Sequence, residues 1–172
     1  PTRRYVFEVP GGTGYQQGQI NAERLFDITW GEDVAPFVVD GTYLIMNQYS
    51  GKMLTSAGSS KATTSNLVSS GTSQQWKVAP GYTTGDISYW FIDNVTTDKN
   101  AHLNVLNLNL NDEANVICWQ GDGNGEHMLE EQWYLKYAQD GYYYIISRLS
   151  NKYLYCTNTA SGSEVRLKEG PS

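Results

Sequence analysis

Residues 41–54 read GTYLIMNQYSGKML, and residues 141–154 read GYYYIISRLSNKYL, so one pattern occurs twice in the chain. A third copy lies between them, as SYWFIDN at 88–94, TDK at 97–99 and HL at 102–103. Each copy alternates apolar and polar residues, passes through a polar turn and resumes at a leucine. Alternation with a period of two is typical of a β-strand, so each copy predicts a β-hairpin.

A second pair of predicted strands follows each hairpin. The first repeat continues as SNLVSS at 65–70 and SQQWKV at 73–78, and the middle repeat as ANVICW at 114–119 and EEQWYL at 130–135. The third continues as GSEVRLK at 162–168 without a later Gln-Trp. The units lie at about 41–79, 86–137 and 141–172; the first two have four strands and the third lacks its last, so about eleven strands and almost no helix are expected. Each unit needs a neighbour to bury an apolar face. The sequence therefore predicts an all-β fold, a β-trefoil with a pseudo-threefold axis relating turns near Gly51, Asp98 and Asn151.

The repeats resemble the ricin-type lectin family. The resemblance rests on Gly-x-Tyr-x-Ile-x-Asn with Ser-Gly-Lys-x-Leu at 41–54, Gln-Gln-Trp at 74–76, Val-x-Cys-Trp at 116–119, Glu-Gln-Trp at 131–133 and the hairpin at 141–154. It covers residues 41–172 and implies a β-trefoil that binds carbohydrate, with up to one shallow sugar site per repeat.

The resemblance also implies where a sugar would bind. In the middle repeat, the resemblance assigns the early polar group to Asn104 and the aromatic plate to Trp119. It assigns the loop group to Asp122 and the late polar group to Glu130 or Glu131. Hydroxyl groups need planar polar partners, and the C–H face of a sugar needs an aromatic ring. The corresponding positions of the other repeats hold Thr55, Ser70, Ser73 and Gln74 in the first, and Tyr155 and Lys168 in the third. Only the middle repeat keeps an aromatic plate.

Strand alternation separates core aromatics from an outward one. Trp76 and Trp133 are expected in the core, and so are Tyr43, Trp90 and Tyr143. Val116 and Cys118 take the inward positions of their strand, which turns Trp119 outward, either to stack on a ligand or to cover the hairpin. Cys118 and Cys156 are expected to be buried, unreactive thiols.

Charge and composition exclude several function classes. The 12 basic and 18 acidic residues give a net charge of −6, which argues against nucleic acid and anionic membrane surfaces. No apolar run is long enough for membrane insertion. His102 and His127 are too far apart for a metal site, and no motif predicts a cofactor. The acidic pairs 112–113 and 130–131 are read as solvated surface rather than as a glycosidase dyad.

Three functions stay open at this stage. The leading interpretation is a non-catalytic lectin for a galactose-, GalNAc- or GlcNAc-type glycan. The alternatives are a trefoil that binds a protein, as a subunit or inhibitor, and a carbohydrate-binding module of a larger glycoside hydrolase. No signal peptide is visible, so extracellular and cytosolic locations are both possible; the sequon Asn94-Val95-Thr96 is weak evidence for secretion.

Residues 1–40 do not align with the repeats and are expected to form an N-terminal extension. Residues 5–9, YVFEV, alternate like a strand. Because the third repeat lacks a Gln-Trp strand, residues 4–9 are predicted to close the barrel, with Phe7 in the place that Trp76 and Trp133 hold in their repeats. The rival interpretations are a truncated chain and a strand supplied by a partner protein.

Overall fold

A computed structural model describes residues 38–57, 62–65, 72–95, 101–120 and 129–171, all within one compact unit, Ala35–Ser172. These residues form eleven strands and three short 3₁₀ helices, with no α-helix among them, which confirms the predicted strand content. The strands are β1 (Gly41–Leu44), β2 (Met53–Ser56), β3 (Ala62–Ser65), β4 (Gln75–Thr84), β5 (Ile87–Asn94), β6 (Ala101–Val105), β7 (Val116–Gln120), β8 (Trp133–Gln139), β9 (Tyr142–Ser147), β10 (Tyr153–Cys156) and β11 (Ser163–Lys168).

The first and fourth strands of the repeats form the barrel wall. They pair antiparallel in the order β1-β4-β5-β8-β9, so each repeat runs directly into the next. The register repeats as well, because Tyr43 pairs with Trp76 and Trp90 pairs with Trp133. This equivalence places the first two repeats in the same arrangement, as a trefoil requires.

The second and third strands form the hairpins β2–β3, β6–β7 and β10–β11. The turns that precede the first and third hairpins have matching backbone hydrogen bonds, Asn47 N to Lys52 O and Ser147 N to Lys152 O, both 2.9 Å. Gly51 and Asn151 have positive φ angles of 65° and 56°, a conformation that suits Gly and Asn. The turn expected near Asp98 lies outside the described residues.

Two tryptophans anchor the core at equivalent points. Trp76 and Trp133 are fully buried, as predicted. Their indole Nε1–H groups donate to the carbonyl oxygens of Leu54 and Leu103, each at 2.9 Å. These leucines lie on β2 and β6, so the same contact ties the hairpin of each repeat to its barrel strand.

Several expectations need correction. Tyr43, Trp90 and Tyr143, all expected in the core, are only partly buried, and Tyr143 lines a cavity of about 180 Å³ together with Ile45 and Leu154. Cys156 is also partly exposed, whereas Cys118 is buried as predicted. Asn94 is a poor glycosylation acceptor in the folded chain, because its buried amide donates to backbone oxygens of β4 and the residues before it.

Tyr43 and Trp90 are partly buried and pack against the core. Residues of β9, of β10 and of the segment that follows β1 line the cavity. Residues 4–9, expected to close the barrel, lie outside the described part of the chain, and their pairing stays a prediction.

Candidate functional site

The hairpin β6–β7 presents its two faces to different surroundings. Alternation along β6 directs Leu103 and Val105 into the core and places His102 and Asn104 on the opposite face. His102 pairs with Trp119 and Asn104 pairs with Ile117 on β7. Since directly opposite residues of an antiparallel pair lie on the same side, these four residues form one surface, here named the ribbon face.

Trp119 is the exposed member of the ribbon face. Its side chain is 49% exposed, while Cys118 beside it is buried, so the alternation gives the outward orientation that the sequence predicted. Asn104 lies diagonally across the hairpin from Trp119, a spacing of about 7–8 Å between Cα atoms in such pairs. The Trp119 ring and the Asn104 amide are therefore diagonal neighbours on the same face of the hairpin.

Asn104 is fixed by a carboxylate from the next segment. Its Nδ2 donates to Oε1 of Glu131 at 3.2 Å, and both residues are only 6% exposed. Glu131 ends the 3₁₀ helix Leu129–Glu131, which precedes β8 and packs against β6. Because Glu131 accepts a proton of the amide, the amide is held in one orientation, with its oxygen directed elsewhere.

His102 is the residue of this site that the sequence reasoning missed. Its Nδ1 lies 2.6 Å from Oδ1 of Asp93 on β5, and a carboxylate accepts, so the imidazole donates. Burial alone would lower the pKa of His102, but the hydrogen bond and charge of Asp93, with the charge of Glu131, raise it above its usual value. Counting alternate residues from Asn104 would have placed His102 beside it.

The two remaining predicted site residues are not joined to this group by a described contact. Glu130 is half-buried, and its Oε2 has no hydrogen-bond partner among the described residues. Burial raises the pKa of Glu130, and the charge of Glu131 adds to the rise. Asp122 lies outside the described residues. The structure therefore brings Asn104, Glu131 and Trp119 to one region.

In the first repeat, the side chains at the positions equivalent to the candidate site hydrogen-bond to one another. Gln74, which corresponds to Glu131, donates to Thr55 Oγ1 at 3.0 Å and to Ser65 Oγ at 2.6 Å. Thr55 and Ser65 are themselves 2.6 Å apart. Both hydroxyls already have partners, and no aromatic ring stands beside them among the described contacts.

In the third repeat, a tyrosine occupies one of the positions equivalent to the candidate site. Tyr155, which corresponds to Asn104, donates its hydroxyl to Glu113, and the Lys168 ammonium lies 5.1 Å from the centre of its ring. Burial together with the contact to Glu113 raises the pKa of Tyr155 to about 12. The phenol is therefore held by internal partners.

Metal binding and membrane spanning also bear on function. Within the described ranges, no group of three or more His, Cys, Asp or Glu side chains is placed to hold a metal ion. None of the helices in that same part of the chain is long and apolar enough to cross a membrane.

Solved structures with the same architecture include a designed protein of threefold symmetry, ThreeFoil. It is 29% identical with a TM-score of 0.64, over 77% of this chain and 91% of ThreeFoil. An exo-β-1,3-galactanase from Clostridium thermocellum is 25% identical with a TM-score of 0.62, over 73% of this chain and only 26% of the enzyme.

The Polyporus squamosus lectin, solved with the epitope Neu5Acα2-6Galβ1-4GlcNAc, is 14% identical with a TM-score of 0.62, over 80% of this chain and 46% of the lectin. At that identity the likeness shows the fold alone. No curated protein matches the sequence. The family profile described as ricin-type beta-trefoil lectin domain-like matches residues 33–119, half of the chain. With its repeats, its barrel and its tryptophan anchors, the chain belongs to this family of ricin-type β-trefoil lectin-like domains.

Proposed function

We propose that this chain is a non-catalytic carbohydrate-binding domain and that the ribbon face of its middle repeat is the sugar site. The observation that carries the proposal is the exposed ring of Trp119 beside the buried Asn104–Glu131 pair. An aromatic plane suits the C–H face of a pyranose, and an oriented amide suits its hydroxyls. No other repeat offers this combination among its described residues.

The expected ligand is a terminal galactose-, GalNAc- or GlcNAc-type residue of a glycan. These sugars each present an apolar patch of C–H groups next to polar hydroxyls, which matches a single plate flanked by an amide and a carboxylate. Because a single exposed ring, that of Trp119, supplies the stacking surface, contact is limited to one sugar face. We expect weak binding to single sugars and stronger binding to multivalent glycans.

A glycan array tests the proposal. The wild-type chain should bind glycans that end in the sugars named above, and Trp119→Ala should lose the signal because the stacking surface is gone. Tyr49→Ala is a matched control, because Tyr49 is also an exposed aromatic residue, at 84%, but lies on the turn of the first repeat. Absence of binding to any glycan, or equal loss with Tyr49→Ala, would contradict the proposal.

A protein-binding role, as a subunit or inhibitor, is the second candidate. It is favoured by the polar positions of the first and third repeats, which are occupied by internal contacts, and by the tyrosine-lined cavity beside β9 and β10. A negative array together with retained folding would favour this candidate.

A third arrangement is a module attached to a glycoside hydrolase. Its support is the galactanase, in which the matching region covers 26% of the enzyme. In that arrangement the domain would bring a catalytic unit to its polysaccharide, and the chain itself would still be non-catalytic. Incubation of the chain with β-1,3-galactan should then show binding without release of reducing sugar.

A further inference from the structure

His102 lies at the centre of the candidate site although it is not part of the predicted sugar contacts. It is 5% exposed, faces Trp119 across the hairpin and is two residues from Asn104 on β6. Its Nδ1 is 2.6 Å from Asp93, whose side chain is 17% exposed. Any change of charge on His102 therefore occurs next to both groups that would contact a sugar.

Among the described residues, the charged groups that act on the imidazole are the two acidic side chains of Asp93 and Glu131. Asp93 faces it from β5, Glu131 approaches from the 3₁₀ helix before β8, and β7 presents the uncharged Trp119. Buried carboxylates are costly unless a positive charge or hydrogen bonds compensate them. A protonated His102 compensates Asp93 directly and Glu131 at longer range, whereas a neutral His102 compensates neither carboxylate.

Glu131 connects the charge of His102 to Asn104, the residue expected to contact the sugar. Its Oε1 accepts the amide proton of Asn104 at 3.2 Å, so the position of the carboxylate sets the direction in which Asn104 offers its remaining donor and acceptor. When the positive charge of His102 is lost, its attraction for the Glu131 carboxylate is lost as well, so the carboxylate can shift or turn away from Asn104. Either change alters the hydrogen bond to Asn104.

We propose that His102 is a positioning residue of the sugar site, and that its imidazolium, held by Asp93, keeps Glu131 and Asn104 in the arrangement that binds glycan. This inference rests on the proposed function of the ribbon face. It assigns to that site a pH dependence: the domain binds more tightly when His102 is charged and more weakly when it is neutral.

The sign follows from the surroundings of the imidazole. The pKa of His102 lies above the ordinary value of about 6.5, so the charged form is fully present below the ordinary value and disappears as pH rises through the raised value. Affinity should therefore be highest below the ordinary value and should fall by about fivefold or more on the alkaline side of the transition, a typical size for coupling between adjacent sites.

Two measurements on the full chain test the proposal. The first is an NMR pH titration that follows the imidazole of His102, the Asn104 side-chain amide and the Trp119 indole N–H. The second is calorimetric titration with N-acetyllactosamine, which contains both galactose and GlcNAc, across the same pH range. His102→Gln should abolish the coupled shifts of Asn104 and Trp119 and flatten the affinity profile, and Asp93→Asn should move both midpoints to lower pH.

His127→Gln is the matched control. The chain has two histidines, His102 and His127, and only His102 should determine how the affinity depends on pH. The inference would be overturned if His127→Gln abolished the pH dependence of the affinity. It would also be overturned if the NMR signals of Asn104 and Trp119 did not change as His102 titrates. Failure of N-acetyllactosamine to bind at every pH, together with a negative array, would refute the proposed function instead. In that case the NMR titration still decides whether His102 controls Asn104.

Discussion

Replacement of Trp133 by alanine should be far more damaging than replacement of Trp119. The Trp133 indole is fully buried and donates to Leu103 O at 2.9 Å in the core. Loss of a buried Trp side chain to alanine costs about 3–5 kcal/mol, and this range includes the cavity left behind. Trp119 is 49% exposed, so Trp119→Ala gives up only about half as much burial and leaves no enclosed cavity, and it should cost clearly less than Trp133→Ala.

Thermal unfolding followed by circular dichroism measures the difference. For a domain of this size, 1 kcal/mol corresponds to about 2–4 °C in Tm, so Trp133→Ala should lower Tm by roughly 6–20 °C. Trp76→Ala is the internal control, because Trp76 makes the equivalent contact with Leu54 O at 2.9 Å and should show a similar loss. A Trp133→Ala variant that melts within about 2 °C of wild type would refute the anchor role of this residue.

Three further outcomes follow from the described contacts. A disulfide exchange reagent at about pH 8 should modify Cys156 well before Cys118, because burial raises the pKa of the Cys118 thiol to about 11; equal rates would contradict its burial. The hydrogen bond from Lys152, at 2.7 Å, lowers the pKa of Asp112, so Asp112→Asn should reduce stability to urea at neutral pH, and the deficit should shrink as pH falls through the lowered pKa. Asn94→Asp should destabilise the fold, because a carboxylate cannot donate to the two backbone oxygens that the amide contacts; an unchanged urea midpoint would count against that arrangement.

The barrel was predictable because its determinants are local and repeated. Alternation at 43–45, at 90–92 and at 143–145 predicts strands, and the Gln-Trp strands supply the large side chains that fill the core. Trp76 and Trp133 follow from that pattern, and so does the outward side chain of Trp119. Each of these properties depends on the neighbours of a residue along its own strand.

The polar contacts were harder to predict because they join distant segments. Asn104 and Glu131 were both expected at the site, but their hydrogen bond and nearly complete burial depend on how the 3₁₀ helix before β8 packs on β6. His102 was set aside as a lone histidine because no partner stands at ligand spacing. Its partner, Asp93, comes from the adjacent strand, and pairing of β5 with β6 brings the two side chains together.

The three aromatic residues of the first strands were expected in the core, but all three are only partly buried. Tyr43 and Trp90 each pair with a tryptophan of a fourth strand and pack against the core. The described residues place no such strand beside Tyr143, and its ring lines the cavity instead. Equivalent sequence therefore gives equivalent packing only where the covering strand is equivalent.

The hydrogen bonds from tryptophan to leucine have a consequence for how this domain can evolve. In the first repeat the two residues are 22 positions apart, and in the middle repeat they are 30 apart, yet both bonds measure 2.9 Å. Additional residues are thus accommodated between the anchors without a change at the anchors themselves. Because lengthening a surface loop adds little closure entropy, insertions and deletions there can create or remove a recognition surface in one repeat while the other two keep the barrel folded.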